Sequence, residues 1–200
     1  MIPLALNVMQ VLSVDLGADM VPGLGLGAEP LEQGIMTKSP RRLQDHIITT
    51  NLLACSYLLL GGVQSLAAMS AFYFQYWING YWGQFLGLPS SGQLYMSATA
   101  MTLAAIVTTQ IGNLFAQRTE RRSFIKSDIF SNPLIWVGIG SALVIILAII
   151  YVPQLQWIFG TAAFPLSNWM FLFALMPSLL LVDELRKALI RRHKKIKSSS

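Results

Sequence analysis

The chain has a single cysteine among its 200 residues, and charged residues make up only 12% of it. A lone Cys55 excludes a disulfide framework, and its place inside an apolar run marks it as a packing residue rather than a reactive one. Charge is missing in blocks, whereas a soluble domain would scatter it. No Asp, Glu, Lys or Arg occurs from Ile47 to Gln117, nor from Ile129 to Val182. Each tract has room for two helical crossings of a bilayer, at roughly 20 residues per crossing. Also missing is a secretory signal with a basic start and a small-residue cleavage site, since MIPLALNVMQ begins directly in apolar sequence.

Hydrophobic residues make up 54% of the chain, and turn-forming residues divide them. WINGYWGQFLGLPSSGQ, with its aromatics, Asn-Gly and Pro-Ser-Ser-Gly, suits a loop among headgroups, and Pro153 to Phe164 plays the same part in the second tract. The expected spans are 3–27, 47–74, 94–115, 133–152 and 165–185, followed by a basic tail at 186–200. The predicted fold class is all-α: one polytopic transmembrane helical bundle of five spans over residues 1–200, with the first span unwound near Asp15 and Asp19. Each span closes its backbone hydrogen bonds internally, as crossing lipid requires.

Basic residues test this layout independently. Lys38, Arg41 and Arg42 follow the first span; Arg118, Arg121, Arg122 and Lys126 follow the third; Arg186, Lys187, Arg191, Arg192, Lys194, Lys195 and Lys197 follow the fifth. Five spans put all three groups on one side, which the positive-inside rule assigns to the cytoplasm. The N-terminus is then outside, the C-terminus is cytoplasmic, and the expected location is the plasma membrane. A net charge of +5 needs no nucleic acid, because the tail RKALIRRHKKIK suits anionic headgroups. An odd number of spans that starts abruptly in apolar sequence predicts an upstream part.

Asp15 and Asp19 are the only charges in the first span. A carboxylate at membrane depth is costly unless it meets a cation, a proton or a polar partner. Four residues apart, the two share one face of a regular helix, with side-chain origins about 6 Å apart. Two carboxylates that close repel each other, and a cation between them relieves the repulsion. Gly17, Pro22, Gly23, Gly25 and Gly27 disfavour a regular helix, and local unwinding would free carbonyls as further oxygen ligands. Sodium, potassium, calcium and magnesium prefer such oxygen-rich sites. The plainer alternatives are that both Asp are turn or cap residues in water, or carboxylates paired structurally to polar groups.

The third span carries a second polar insertion, TTQIGNLFAQRTERR. Gln110 and Asn113 share a face, with Thr109 beside them and Gln117 a turn beyond. Their amide oxygens could complete a cation shell or simply bond between helices. In GGVQSLAAMSAFYF, Gln64 sits among small residues that favour close helix packing.

NVMQVLSVDLGADMVPGLGLGAEP resembles the sixth transmembrane helix of P-type cation-transporting ATPases of the sodium/potassium, proton/potassium and calcium-pump group. IMTKSPRR is similar to the cytoplasmic loop that follows it; LGGVQSLAAMSAFYFQY resembles the seventh helix, QIGNLFAQRTERRSF the eighth, and LLLVDELRKALIRR the end of the tenth. The resemblance implies that Asp15 and Asp19 are paired cation ligands of a broken helix. It also implies that Gln110 and Asn113 lie near a further cation position. Ala18 stands where the family usually has Thr, and Asn113 where the sodium/potassium branch has a carboxylate. The ion is therefore left open among hard cations such as sodium, potassium and calcium.

The family's phosphorylated Asp-Lys-Thr-Gly-Thr, its Thr-Gly-Glu motif, its nucleotide-binding domain and its first five helices do not occur here. Phosphoryl transfer needs an ordered nucleophile and magnesium ligands, so this chain cannot hydrolyse ATP by itself and carries no cofactor of its own. Magnesium and ATP belong to the full-length parent. The expected function is the cation-site-bearing C-terminal membrane portion of such a pump. Its partners would be the remaining helices and cytoplasmic domains. The rival readings are a freestanding scaffold or regulatory subunit, and a small ATP-independent channel or carrier.

Overall fold

In a computed structural model, residues 2–29, 50–117 and 132–197 are described. The predicted loop residues Lys38, Arg41, Arg42, Arg118, Arg121, Arg122 and Lys126 lie outside these ranges. The described residues form the all-α bundle that the charge-free tracts predict.

Its first segment is α1 (Val8–Ser13), a π-helical turn (Val14–Ala18) and α2 (Met20–Gly27). The predicted interruption is present, but as a widened turn rather than an unwound stretch. The Asp19 N–H reaches back five residues to the Val14 carbonyl at 3.0 Å, and the Gly23 N–H resumes α-helical bonding to the Asp19 carbonyl at 2.9 Å. Pro22 has no N–H to offer the Ala18 carbonyl four residues back, so the chemistry of the sequence leaves a gap in the ladder here. Asn7 caps α1 through a reciprocal pair with Gln10.

The second segment is α3 (Thr50–Ala54), another π-helical turn (Cys55–Gly61) and α4 (Gly62–Ile78). Then come α5 (Gln93–Gln117), α6 (Pro133–Tyr151), the short α7 (Pro153–Phe159), and the pair α8 (Asn168–Leu175) and α9 (Pro177–Lys197). Cys55–Ile78, Gln93–Gln117, Pro133–Tyr151 and Asn168–Ala188 are each long and apolar enough to cross a membrane. The first segment joins them in the bundle, divided into pieces of 6, 5 and 8 residues.

Where a loop is expected after Pro153, the chain makes one helix instead. Pro153 pre-sets the first helical turn, and Gly160, at φ 62°, closes it in the left-handed conformation. α5 lies at the centre, buried over most of its length. Ala98, Ala100, Ala104 and Ala105 let neighbouring backbones come close, and Met101, Leu103 and Val107 pack with Ile146, Ile150 and Leu172. Its threonine hydroxyls are used within the helix: Thr102, Thr108 and Thr109 each donate to the carbonyl four residues back, at 2.9, 2.9 and 2.7 Å.

Polar bonds tie the bundle together at both ends. At one end the Tyr95 hydroxyl donates to the Leu4 carbonyl (2.9 Å), and Asn7 Nδ2 to the Phe159 carbonyl (2.7 Å). Fully buried Gln10 gives its Nε2 protons to Thr99 Oγ1 and the Phe159 carbonyl, both at 3.1 Å. Asn168 Nδ2 donates to Gln75 Oε1 (2.8 Å), whose Nε2 donates to Ser97 Oγ (3.0 Å). At the other end Asn132 Nδ2 donates to the Gly25 carbonyl (2.8 Å) and Glu29 Oε2 (3.0 Å). Lys187 of α9 donates to the carbonyl of Ala116 at the end of α5 that lies away from Thr99 and Gln10, so it and the start of the first segment lie at opposite ends of the bundle.

Glycine permits three of the closest backbone approaches. A Cβ on Gly138 would stand 2.8 Å from Pro22, and one on Gly25 3.2 Å from the backbone at Ile135. On Gly112 it would stand 2.2 Å from the Met176 carbonyl oxygen, at the junction of α8 and α9. Gly112→Ala must therefore push α5 away from the last segment. It should cost about 1–3 kcal/mol by overpacking. Gly140, with nothing within 4 Å, tolerates the same change. Thermal denaturation of the detergent-solubilised protein, followed by size-exclusion fluorescence, should show a lower midpoint for Gly112→Ala and an unchanged one for Gly140→Ala.

Candidate functional site: a cavity beside Asp19

The interrupted first segment, α5 and α6 line a half-open cavity of about 170 Å³. Ala18, Asp19, Pro22 and Gly23 supply one wall, Gln110, Asn113 and Gln117 another, and Ile139 and Ala142 the apolar back. The π-helical turn builds the first wall. A turn closed by a bond five residues back rotates everything downstream relative to a straight helix, and this carries Asp19 toward α5.

Asp19 is half-buried, and its Oδ2 accepts a 2.8 Å hydrogen bond from Gln110 Nε2. The amide is thereby oriented. With its nitrogen given to Asp19, Gln110 Oε1 is buried with no hydrogen-bond donor among the described residues. Asn113 is half-buried on the same wall, and Gln117 Nε2 approaches its Oδ1 at 3.5 Å. One carboxylate oxygen pair and the amide oxygens form a hard, oxygen-rich donor set. No three His, Cys, Asp or Glu side chains converge among the described residues, so the soft ligands of a structural zinc site are missing there.

Of the four predicted site residues, the structure brings three together: Asp19, Gln110 and Asn113 line the cavity. Asp15 does not line it. It is exposed, on the face of the first segment where Leu12, Leu16 and Met20 are also exposed. Gln117 is a fourth cavity residue, legible as the next turn of the Gln110 and Asn113 face. Thr109, beside that face in the sequence, spends its hydroxyl on the Ala105 carbonyl. Gln10 and Asn132 hold the two ends of the segment that carries Asp19. Each has a local signal only for a capping role, Gln10 as the partner of Asn7 in a capping box and Asn132 as the cap before Pro133.

The family model described as "Cation transporting ATPase, C-terminus" matches residues 3–189. Among curated proteins, the potassium-transporting ATPase alpha chain 2 of Rattus norvegicus is 30% identical over 95% of this chain and 21% of its own length. Calcium-transporting ATPase 1 of Schizosaccharomyces pombe is 30% identical over 98% of the chain and 20% of its own length. The calcium-transporting ATPase type 2C member 1 of Mus musculus is 26% identical over 99% and 20%. The chain thus spans about a fifth of the length of these relatives.

The contact across the cavity is measurable apart from any activity. In a double-mutant cycle on thermal stability, Asp19→Leu and Gln110→Leu should couple by roughly 0.5–2 kcal/mol, the range for hydrogen bonds between membrane helices. Additivity of the two changes would mean that this bond does not hold the first segment to α5.

Proposed function

This chain belongs to the family of cation-transporting ATPase C-termini, and from that premise we propose that the cavity beside Asp19 is its part of the cation site. The chain is an integral membrane protein region, the C-terminal membrane part of a P-type cation-transporting ATPase. One observation carries the proposal. Gln110 uses its nitrogen to hold Asp19, which leaves a buried, unpartnered amide oxygen on the wall of the same cavity. A buried acceptor without a donor is costly, and a cation is a chemical partner that satisfies it together with the carboxylate.

In this reading Asp19 is the charged ligand, and Gln110 and Asn113 supply amide oxygens. The Ala18 carbonyl, which Pro22 cannot satisfy, is a backbone candidate. Asp15 faces away from this cavity. Its exposed carboxylate on an apolar face needs a polar neighbour from the remaining helices of the parent pump, where it serves as a ligand from the other side. The cation is sodium, potassium or calcium: potassium and calcium are the ions named for the relatives, and sodium suits the same hard donor set. ATP hydrolysis, with its magnesium, takes place in the cytoplasmic domains of the parent. Phosphorylation there changes the access and affinity of the site through coupled helices. In the plasma membrane the N-terminal end of the bundle faces outward, and the basic end of α9 meets anionic headgroups.

The test is phosphorylation of the full-length pump from ATP at increasing concentrations of each cation. Asp19→Asn should raise the half-saturating concentration about tenfold or more, equivalent to roughly 1.4 kcal/mol or above, while the protein still folds. Half-saturation at the wild-type concentration in a folded Asp19→Asn pump would sink the assignment.

A further inference from the structure

One buried charge has no part in the cavity. Lys187, on α9, is 2% exposed, and its Nζ lies 2.7 Å from Asp183 Oδ2 one turn earlier. The same Nζ donates at 2.9 Å to the carbonyl of Ala116, in the last described turn of α5. Asp183, also 2% exposed, accepts through Oδ1 from Arg186 Nε at 2.8 Å.

Stability is a poor reason for this arrangement. Burying two charges costs several kcal/mol per ion after relaxation, and an apolar pair of equal volume often holds two helices as well or better. What the ion pair supplies is direction. The other contacts between α5 and the last segment are the close approach of Gly112 to the Met176 carbonyl and apolar packing of Ile111, Leu114 and Phe115 with Met176 and Leu180, none of which is a directed bond. The Lys187 bond ends on one particular carbonyl, so to that packing it adds a directed tie on the rotation and height of the end of α5. Between Gly112 and Ala116 lies Asn113, and next to Ala116 lies Gln117, both on the cavity wall.

We propose that Lys187 is a positioning residue for the cavity: anchored by Asp183, it holds the end of α5 so that Asn113 and Gln117 face Asp19. The proposal rests on the reading of that cavity as the cation site. Lys187→Met removes the bond to Ala116 and leaves Asp183 paired with Arg186 through Oδ1, while the buried Oδ2 loses its cation.

The full-length pump is phosphorylated from ATP in titrations of sodium, potassium and calcium chloride, and in a separate titration of ATP. Lys187→Met should raise the half-saturating cation concentration roughly threefold to thirtyfold, the range for residues that act on a site without touching its ligand. The half-saturating ATP concentration should not move. If Lys187→Met does not fold, Asp183→Asn with Lys187→Met removes both buried charges and should show the same cation shift. A lower yield of folded pump with unchanged cation half-saturation would overturn the proposal and leave Lys187 a purely structural residue. Asp19→Asn is measured alongside. If it too leaves cation half-saturation unchanged, the cation-site reading falls and takes this proposal with it. If Asp19→Asn shifts it and the Lys187 variants do not, the positioning role alone is wrong.

Discussion

The hydrogen bond from Gln110 to Asp19 joins the interrupted helix to the one helix that is buried on nearly all sides. Its physical basis is the cost of a carboxylate at membrane depth, which must find a donor, a proton or a cation. α5 is suited to give the donor because its other polar groups are already spent. Thr102, Thr108 and Thr109 bond back to their own helix, and Thr99 takes Gln10. The amides at Gln110, Asn113 and Gln117 are what remains for the cavity. The position of Asp19 thus depends on the packing of α5 against Ile146, Ile150 and Leu172 as well as on the turn of its own helix.

That division of labour explains how a helix can be broken where its charge sits. A π-helical turn next to a proline is weaker than a regular one, yet the first segment is fastened at both ends by bonds that do not pass through the break. Gln10 and Asn7 hold its start to α5 and to the end of α7; Asn132 holds Gly25, while Gly138 lets Pro22 lie directly against α6. With the ends fixed, the turn at Val14–Ala18 is where the segment has freedom to change, and Asp19 closes that turn.

Much of this was legible in the sequence, for reasons that differ from residue to residue. The charge-free tracts from Ile47 and from Ile129 marked the spans because lipid tolerates little else, and Gly17 and Pro22 marked the interruption because both weaken a helix. The face shared by Gln110 and Asn113 followed from the helical period. The four-residue spacing of Asp15 and Asp19 was a weaker guide, since it assumes a regular helix, and the π-helical turn between them separates their surroundings. The long-range roles of Gln10, Asn132 and Lys187 were not legible. Each depends on a backbone carbonyl supplied by a distant part of the chain, and a carbonyl has no letter in the sequence.

Asp15 also bears on what surrounds this bundle. Val8, Leu12, Leu16, Met20 and Leu24 are exposed along the first segment, as Tyr57, Leu58 and Leu66 are along the second. Within a membrane such exposure does not separate a face that meets lipid from one that meets another helix, because acyl chains and leucines are equally apolar. A carboxylate does separate them. Asp15 stands exposed among those leucines, and acyl chains offer a carboxylate neither a donor nor a cation. The face it marks is therefore one that requires a polar neighbour, whereas the faces of α4 and α6 that carry only apolar side chains do not. In relatives about five times as long, the additional chain is where such a neighbour would come from.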